Sequence, residues 1–315
     1  MTKNLNLKQT AAFIKEHDNY IVFTHASPDG DTIGSAFAFR YIAELLGKKA
    51  KVVCSDKIPE KFGYFMTQNE EVIPQTVVCV DVADLKLTGK FKDELESNVD
   101  LCIDHHITNK SYAKNSLVVP EAAACCEIML SIAEELGVSI SGKLADAIYT
   151  GICTDTGCFK FSNVTANTHL AAARLFGYGA NVSEINRLMF DTKRKEQLAL
   201  EKAALETLEY HFDNRCAIIT ITEEMLESSG CFQSELDAIT AVPRSILGVT
   251  AGITIKQKEK DLYKISVRSK DPINASKVCA LLGGGGHDYA AGCSVRGTAK
   301  QAKQKILEAL KNFME

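Results

Sequence analysis

Tryptophan is absent from the 315 residues, and so are a basic excess, a long apolar run and any C-x-x-C pair. The missing tryptophan excludes little, since 14 Phe and 9 Tyr remain for stacking and packing. The other absences say more. No apolar run approaches the ~20 residues that a membrane span needs. The opening MTKNLNLKQTAAFIKEHDNY is polar and amphipathic and holds no signal-peptide apolar core. The expected setting is therefore cytoplasmic, with no membrane partner. Thirty-six basic against 40 acidic residues leave a net charge of −4. Proteins that grip long nucleic acid by phosphate neutralisation usually carry a basic excess. A long duplex is thus an unsuitable partner, whereas a short anion remains open, because a local cluster or a metal can supply positive charge.

Eleven cysteines are present, in apolar runs such as VVCVD (Cys79), LCID (Cys102) and KVCALL (Cys279). They are expected to be reduced, buried thiols, with a zinc site as the alternative. At 46% hydrophobic and 24% charged, the chain is long enough for two domains. It shows neither internal repeats nor low-complexity segments.

Strand-like and helix-like segments alternate through the first half. A helix is predicted over about 7–17, strands over 21–24, 50–54, 76–80 and 99–103, and helices over 32–46, 122–136 and 143–153. Such alternation implies parallel βαβ units, hence an α/β domain with a doubly wound, mainly parallel sheet. Residues 181–211 read as helical and charge-dense. Beyond them the pattern changes to a strand (216–222), a short helix (223–229), a hairpin (250–257 with 262–269), a short helix before GGGGH, a strand near 292–295 and a closing amphipathic helix. That is a smaller α+β domain. The expected boundaries are 1–190, a connecting helix over 191–211, and 212–315.

Acidic and imidazole residues recur where the apolar segments of the first domain end. FTHASPDGDTIGS (Phe23–Ser35) places His25, Asp29 and Asp31 within seven residues, VVCV leads into Asp81, LCI into Asp104, His105 and His106, and GICTDTG carries Asp155. Singly each has a bland explanation: Pro-Asp-Gly is turn text, and Asp31 can be a helix N-cap. Together they are carboxylates and imidazoles delivered to one edge of a parallel sheet, where ligands bind in open α/β folds. That donor mixture suits Mn²⁺, Fe²⁺ or Zn²⁺ better than Mg²⁺, and its size suggests two ions bridged by a shared carboxylate. Two ions suit metal-assisted phosphoester hydrolysis, and no GxSxG nucleophile motif is present. His17, His169 and His211 lie in helical text and are expected to be solvated or at the core edge. Cys153 and Cys158, which flank Asp155, are expected to pack.

HASPDGDTIGS, the lone Asp81, DHH at 104–106 and TDTG at 154–157 resemble, in order, the four motifs of the DHH phosphoesterase superfamily, which includes the RecJ-type nucleases. RSK at 268–270 and GGGGHDYAAG at 283–292 resemble its DHHA1 accessory domain. The length and the FKFSN after TDTG are most similar to the stand-alone nanoRNase/pAp phosphatase group. This resemblance spans nearly the whole chain. It implies one Mn²⁺ on His25, Asp29 and Asp81, and a second on Asp31, Asp81, His105 and Asp155. It further implies that Asp104 orients a ligating imidazole and that His106 binds the phosphate or protonates the leaving oxygen, so that His106, Asp104 and Asp81 form the catalytic group.

From the accessory domain the resemblance implies substrate binding by Arg268, Ser269, Gly284, Gly285, Gly286 and His287. The residues agree in part: Tyr263, Ile265 and Val267 alternate inward, so Arg268 projects from the other face, where a guanidinium can take a phosphate bidentately. The glycine run permits close backbone approach or an anion nest, but lacks the GK[ST] of a P-loop. The active site is expected in the cleft between the domains. Expected substrates are short single-stranded oligoribonucleotides and 3′-phosphoadenosine 5′-phosphate (pAp), with cyclic di-AMP or pApA as the alternative; a homodimer is compatible with all of this. The cysteines of EAAACCE (121–127) stand where relatives often carry small hydroxyl residues, and Cys126 is expected to make activity sensitive to oxidation.

Overall fold

The structure, a computed structural model, describes residues 2–68, 71–232 and 236–314. The chain divides into two units, Met1–Thr192 and Lys193–Glu315.

In chain order the first unit contains β1 (Lys3–Asn4), α1 (Leu7–Glu16), β2 (Tyr20–Phe23), α2 (Gly30–Leu45), β3 (Ala50–Val53), β4 (Thr76–Val80), α3 (Lys92–Leu95), β5 (Leu101–Asp104), β6 (Asn115–Val118), α4 (Cys125–Leu136), α5 (Gly142–Asp155), α6 (Ala166–Gly177) and α7 (Val182–Asn186). Its strands form a six-stranded sheet in the order β1-β6-β5-β4-β2-β3, parallel at each pairing. Alternate residues of each strand enter different cores. Tyr20, Val22, Val52, Val78, Val80, Leu101 and Ile103 join the large core with α2, α4 and α5. Phe23, Cys79 and Cys102 join a smaller cluster with Leu95, Val99 and the partly buried Phe91. Both faces are covered, as the apolar runs predict for a parallel sheet.

The order of strands reverses at β2. The chain builds β3 on one side of β2, then returns to place β4, β5 and β6 on the other. Such a reversal parts the connections at the carboxyl ends of the strands, where ligands enter open α/β sheets. His25 follows β2 and Asp81 follows β4, so the first two motifs flank this switch point. The expected strand and helix order holds, with β1, β6, α3 and α6 added. β1 is only two residues long, and β6 (NSLV) opens on polar Asn115 and Ser116, so neither reads as an apolar run. The fourth motif ends a helix, α5, so its Asp155 reaches the centre from a different layer.

The second unit contains α8 (Lys195–Leu205), β7 (Glu209–His211), β8 (Cys216–Ile221), α9 (Glu223–Ser229), α10 (Asp237–Thr240), α11 (Val242–Ser245), β9 (Ala251–Glu259), β10 (Leu262–Ser269), α12 (Ala275–Ala280), β11 (Gly285–His287), β12 (Ala290–Arg296) and α13 (Ala299–Met314). Its sheet runs β11-β12-β10-β9-β8-β7, with β8 and β9 parallel and the other pairs antiparallel. One face packs on α12 and α13 through Ile253, Ile255, Tyr263, Ile265, Val267, Val278, Ile306 and Leu310. Ile219 and Ile221 pack against Leu200, Ala204 and Ile239. His211 lies in β7, not in helical text. GGGGH is not an open loop either: Gly285–His287 is an edge strand on β12. Glycine is required there by packing, because a Cβ on Gly284 would lie 2.5 Å from that of Cys293.

Among the described residues no helix is long and apolar enough to cross a membrane. All eleven cysteines are free thiols, and all but Cys54 and Cys158 are buried.

Candidate metal centre

Helix α2 begins where it does because Asp29 caps it. The Asp29 carboxylate accepts from the backbone N–H groups of Asp31 (3.1 Å) and Thr32 (3.0 Å), which an N-cap side chain does for the unpaired first turn. The cap is therefore Asp29, and Asp31, the other candidate, lies inside the helix at 1% exposure. Asp31 is held from a second helix start. The N–H groups of Cys125 (2.6 Å) and Cys126 (2.9 Å), at the beginning of α4, donate to its two oxygens, where the helix dipole favours negative charge.

Two histidines are set by backbone carbonyls. His25 Nδ1 lies 2.8 Å from the Ala26 carbonyl, and His105 Nδ1 lies 3.1 Å from that of Ala122. A proton on Nδ1 donates in each case, leaving the Nε2 lone pairs for a ligand. His25 Nε2 faces Asp29 and Asp81 oxygens, both at 3.7 Å. His105 Nε2 faces Asp81 at 3.5 Å, Asp31 at 3.8 Å and Asp155 at 3.8 Å. Donor atoms of His25, Asp29 and Asp81 cluster within 4.8 Å of one another, as do those of Asp31, His105 and Asp155. No cysteine enters a cluster of this kind among the described residues.

Asp81 stands between the two groups. It is 3% exposed, and its Oδ1 is buried without a hydrogen-bond partner. Such an atom normally costs several kcal/mol, of order 1–3 or more for a charged group. Its backbone is in the left-handed region (φ 56°), a strained conformation of the kind found at functional sites. Burial, and then the charges of Asp31, Asp29, Asp155 and Asp104, push its carboxyl well above the usual range. Burial also raises Asp31. Asp155 is pushed up to about 8, by burial and then by Asp31 and Asp29. Five carboxylates this close cannot all ionise without positive charge among them.

His106 is placed differently. Its Nδ1 lies 2.8 Å from Asp104 Oδ1, which also accepts the backbone N–H groups of His105 and His106. Asn109 Nδ2 donates to the other Asp104 oxygen at 2.6 Å. Burial opposes ionisation of Asp104, but the His106 and Asn109 contacts outweigh it and hold its carboxyl below the usual value. Asp104 thus orients His106, whose donor atom also clusters with those of Asp81 and His105, while His105 itself is oriented by the Ala122 carbonyl.

The remaining histidines lie elsewhere: His17 stacks on Phe13, and His169 on Phe159. Cys126 is fully buried, and burial followed by the nearby Asp31 charge raises its thiol well above the ordinary value. The thiolate is the reactive form, so the expected oxidation sensitivity at Cys126 does not fit its surroundings.

In the second unit Arg268 and Gly284–Gly285 line a cavity of about 520 Å³, and His287 is exposed beside them on β11. Ser269 is 1% exposed and its hydroxyl donates to the Ile273 carbonyl at 2.7 Å. It shares the core-facing side of β10 with Tyr263, Ile265 and Val267, so substrate binding by Ser269 does not fit the fold. Asn109 in the first unit, and Lys256, Lys264 and Ser266 in the second, escaped the sequence reading. The first is three residues past the last histidine, and the others show their common face only once the strands are paired.

The description "DHH family, N-terminal domain" matches residues 19–152, and "DHHA1 domain" matches 216–315. A bifunctional oligoribonuclease and PAP phosphatase NrnA from Thermus thermophilus is 31% identical over 301 residues, 92% of this chain and 88% of that protein. The chain belongs to the DHH family. Among solved structures, an exopolyphosphatase-related protein from Bacteroides fragilis superposes with a TM-score of 0.87 at 22% identity, covering 98% of this chain and 96% of that one. A RecJ exonuclease bound to manganese matches with a TM-score of 0.51 at 14% identity, over 98% and 94% of the two chains. The DHH assignment thus rests on both units, and the fold is RecJ-like.

Proposed function

We propose that this DHH protein is a metal-dependent phosphoesterase that hydrolyses short oligoribonucleotides to mononucleotides, and pAp to AMP and phosphate. The observation that carries this reading is the orphaned, buried Oδ1 of Asp81, 3.5 Å from His105 Nε2, with His25 Nε2 3.7 Å from the other oxygen of the same carboxylate. Those separations are too long for hydrogen bonds. They suit donors that share a cation, each lying about 2.0–2.2 Å from it. The donor set fits two ions. His25, Asp29 and Asp81 would hold one, and Asp31, Asp81, His105 and Asp155 the other, with manganese favoured by the mixture of imidazole and carboxylate. When bound, such a pair supplies Lewis-acid charge to a phosphoryl group and lowers the pKa of water.

The chain's own residues do the rest. Asp104 accepts from His106 Nδ1 and so keeps the ring oriented, with Nε2 left to hydrogen-bond the phosphate or to give a proton to the leaving oxygen. His106 is about one-third exposed, and so open to substrate. Arg268 and the N–H groups of the glycine run suit the phosphates of a bound nucleotide. Substrate class is supported by the name of the Thermus thermophilus relative.

One panel tests the reading: pAp, pApA, cyclic di-AMP and a five-nucleotide RNA, each with Mn²⁺, Mg²⁺ or chelator. Turnover of pAp and the short RNA at comparable rates with Mn²⁺, lost on chelation, is expected. Selective cleavage of cyclic di-AMP would overturn the substrate assignment.

A further inference from the structure

Antiparallel pairing sorts the cavity on the second sheet into rows. Arg268 pairs with Ala290, and Ala290 with His287 on β11. One row therefore carries Arg268 and His287. Four residues back along β10, Lys264 pairs with Lys256 on β9 and with Ser294 on β12. A second row therefore carries two lysines and a serine. Between them Ser266 pairs with Gly292, and Gly292 with Gly285. In this middle row only Ser266 carries a side chain, and the two glycines leave the rest of the floor bare.

Lys264, Ser266 and Arg268 share this face because Tyr263, Ile265 and Val267 occupy the core side. Lys256, Lys264 and Arg268 all line the cavity of about 520 Å³, and none of its described lining residues is an aspartate or glutamate. Lys264 is solvent-exposed, so its ammonium is available to a ligand. The two rows lie roughly 13 Å apart at about 3.3 Å per residue, well beyond the rise of about 3.4 Å between stacked nucleotides. That spacing leaves room for a separate phosphate at each row.

We propose that the cavity binds the backbone of a short single RNA strand at two separate phosphates, one in the Arg268–His287 row and another in the Lys256–Lys264–Ser294 row, so that Lys264 makes affinity depend on substrate length. A groove of positive charge that follows a backbone is how single strands are held without sequence preference. Glycines in mid-floor let sugar and phosphate approach the backbone closely. The proposal deepens the oligoribonuclease reading and rests on it for the identity of the strand.

The test is Lys264→Ala, with Lys311→Ala on α13 as a control for loss of one charge outside the cavity. KM with Mn²⁺ is measured for di-, tri- and pentanucleotides. Binding of a labelled five-nucleotide RNA is followed by fluorescence polarisation in EDTA, where no cleavage occurs. The expected Lys264→Ala penalty grows with length and reaches about tenfold on the pentanucleotide, with a shallower salt dependence. A penalty equal at all lengths, or one matched by Lys311→Ala, would overturn the proposal. Should the wild type cleave none of these RNAs, the oligoribonuclease reading fails. Polarisation then decides the inference alone, and equal affinity of wild type and Lys264→Ala would end it.

Discussion

Replacing Asp81 by asparagine is expected to lower turnover by at least about a thousandfold, because removing even a partner of a metal ligand typically costs 10- to 100-fold and Asp81 faces both donor groups. Asparagine is the appropriate substitute. Asp81 has a φ of 56°, which asparagine adopts readily, whereas alanine would add backbone strain of about 1–2 kcal/mol. The fold should survive. In the metal-free protein Asp81 is crowded by Asp31, Asp29, Asp155 and Asp104, so removing its charge relieves repulsion. The melting temperature of metal-free Asp81→Asn at pH 8 should equal or exceed that of the metal-free wild type. Circular dichroism on heating, together with kcat, separates lost function from lost structure. A dead enzyme that melts far below wild type would leave the bridging role without support, and a fully active one would refute it.

The second large effect falls on His106. His106→Gln should lower kcat by about 10²- to 10⁴-fold, the usual range for a positioned acid or base, while manganese affinity changes far less. Asn109 acts through Asp104, to which it donates at 2.6 Å. Asn109→Ala should therefore cost less, about 10- to 100-fold, and should add little in the His106→Gln background, since residues in one hydrogen-bond network are not additive. A full further loss in the double variant would place Asn109 outside this network.

What could be read in advance follows from how local each signal is. The gathering of His25 and Asp81 at one sheet edge was legible because both follow short apolar, β-branched runs, whereas their place at the switch point depends on strand order, which no local signal carries. Asp155 was legible as a motif, and its helix as a helical period, since Leu144, Ala147, Ile148 and Ile152 are buried on one face. Long-range pairings were not. Asp104 serves His106 because its carboxylate accepts from the backbone after β5, a geometry that the letters DHH do not specify. Asp31 is fixed by the start of α4, more than ninety residues away in sequence. The close approach of α5 to this pair of helices depends on glycine, because a Cβ on Gly151 of α5 would meet Asp31 Oδ1 at 2.6 Å. In the second unit the position of Ser269 follows from the strand alternation already read for Val267, which the RSK motif obscured. The lysine row appears only when β9, β10 and β12 are set in register.

The most direct test is a manganese titration of chelated protein at pH 7, counting both ions bound and protons released. Carboxylates must be ionised to bind a metal. Asp155, pushed up to about 8 in the metal-free site, still holds a proton at pH 7, and burial with the neighbouring carboxylates pushes Asp81 in the same direction. The folded state thus binds protons that manganese must displace, and affinity should strengthen as pH rises toward about 8. Two ions per chain, with at least one proton released, are predicted, and one ion or none for Asp81→Asn. Binding of a single ion by the wild type without proton release, or full turnover after exhaustive chelation, would contradict the account.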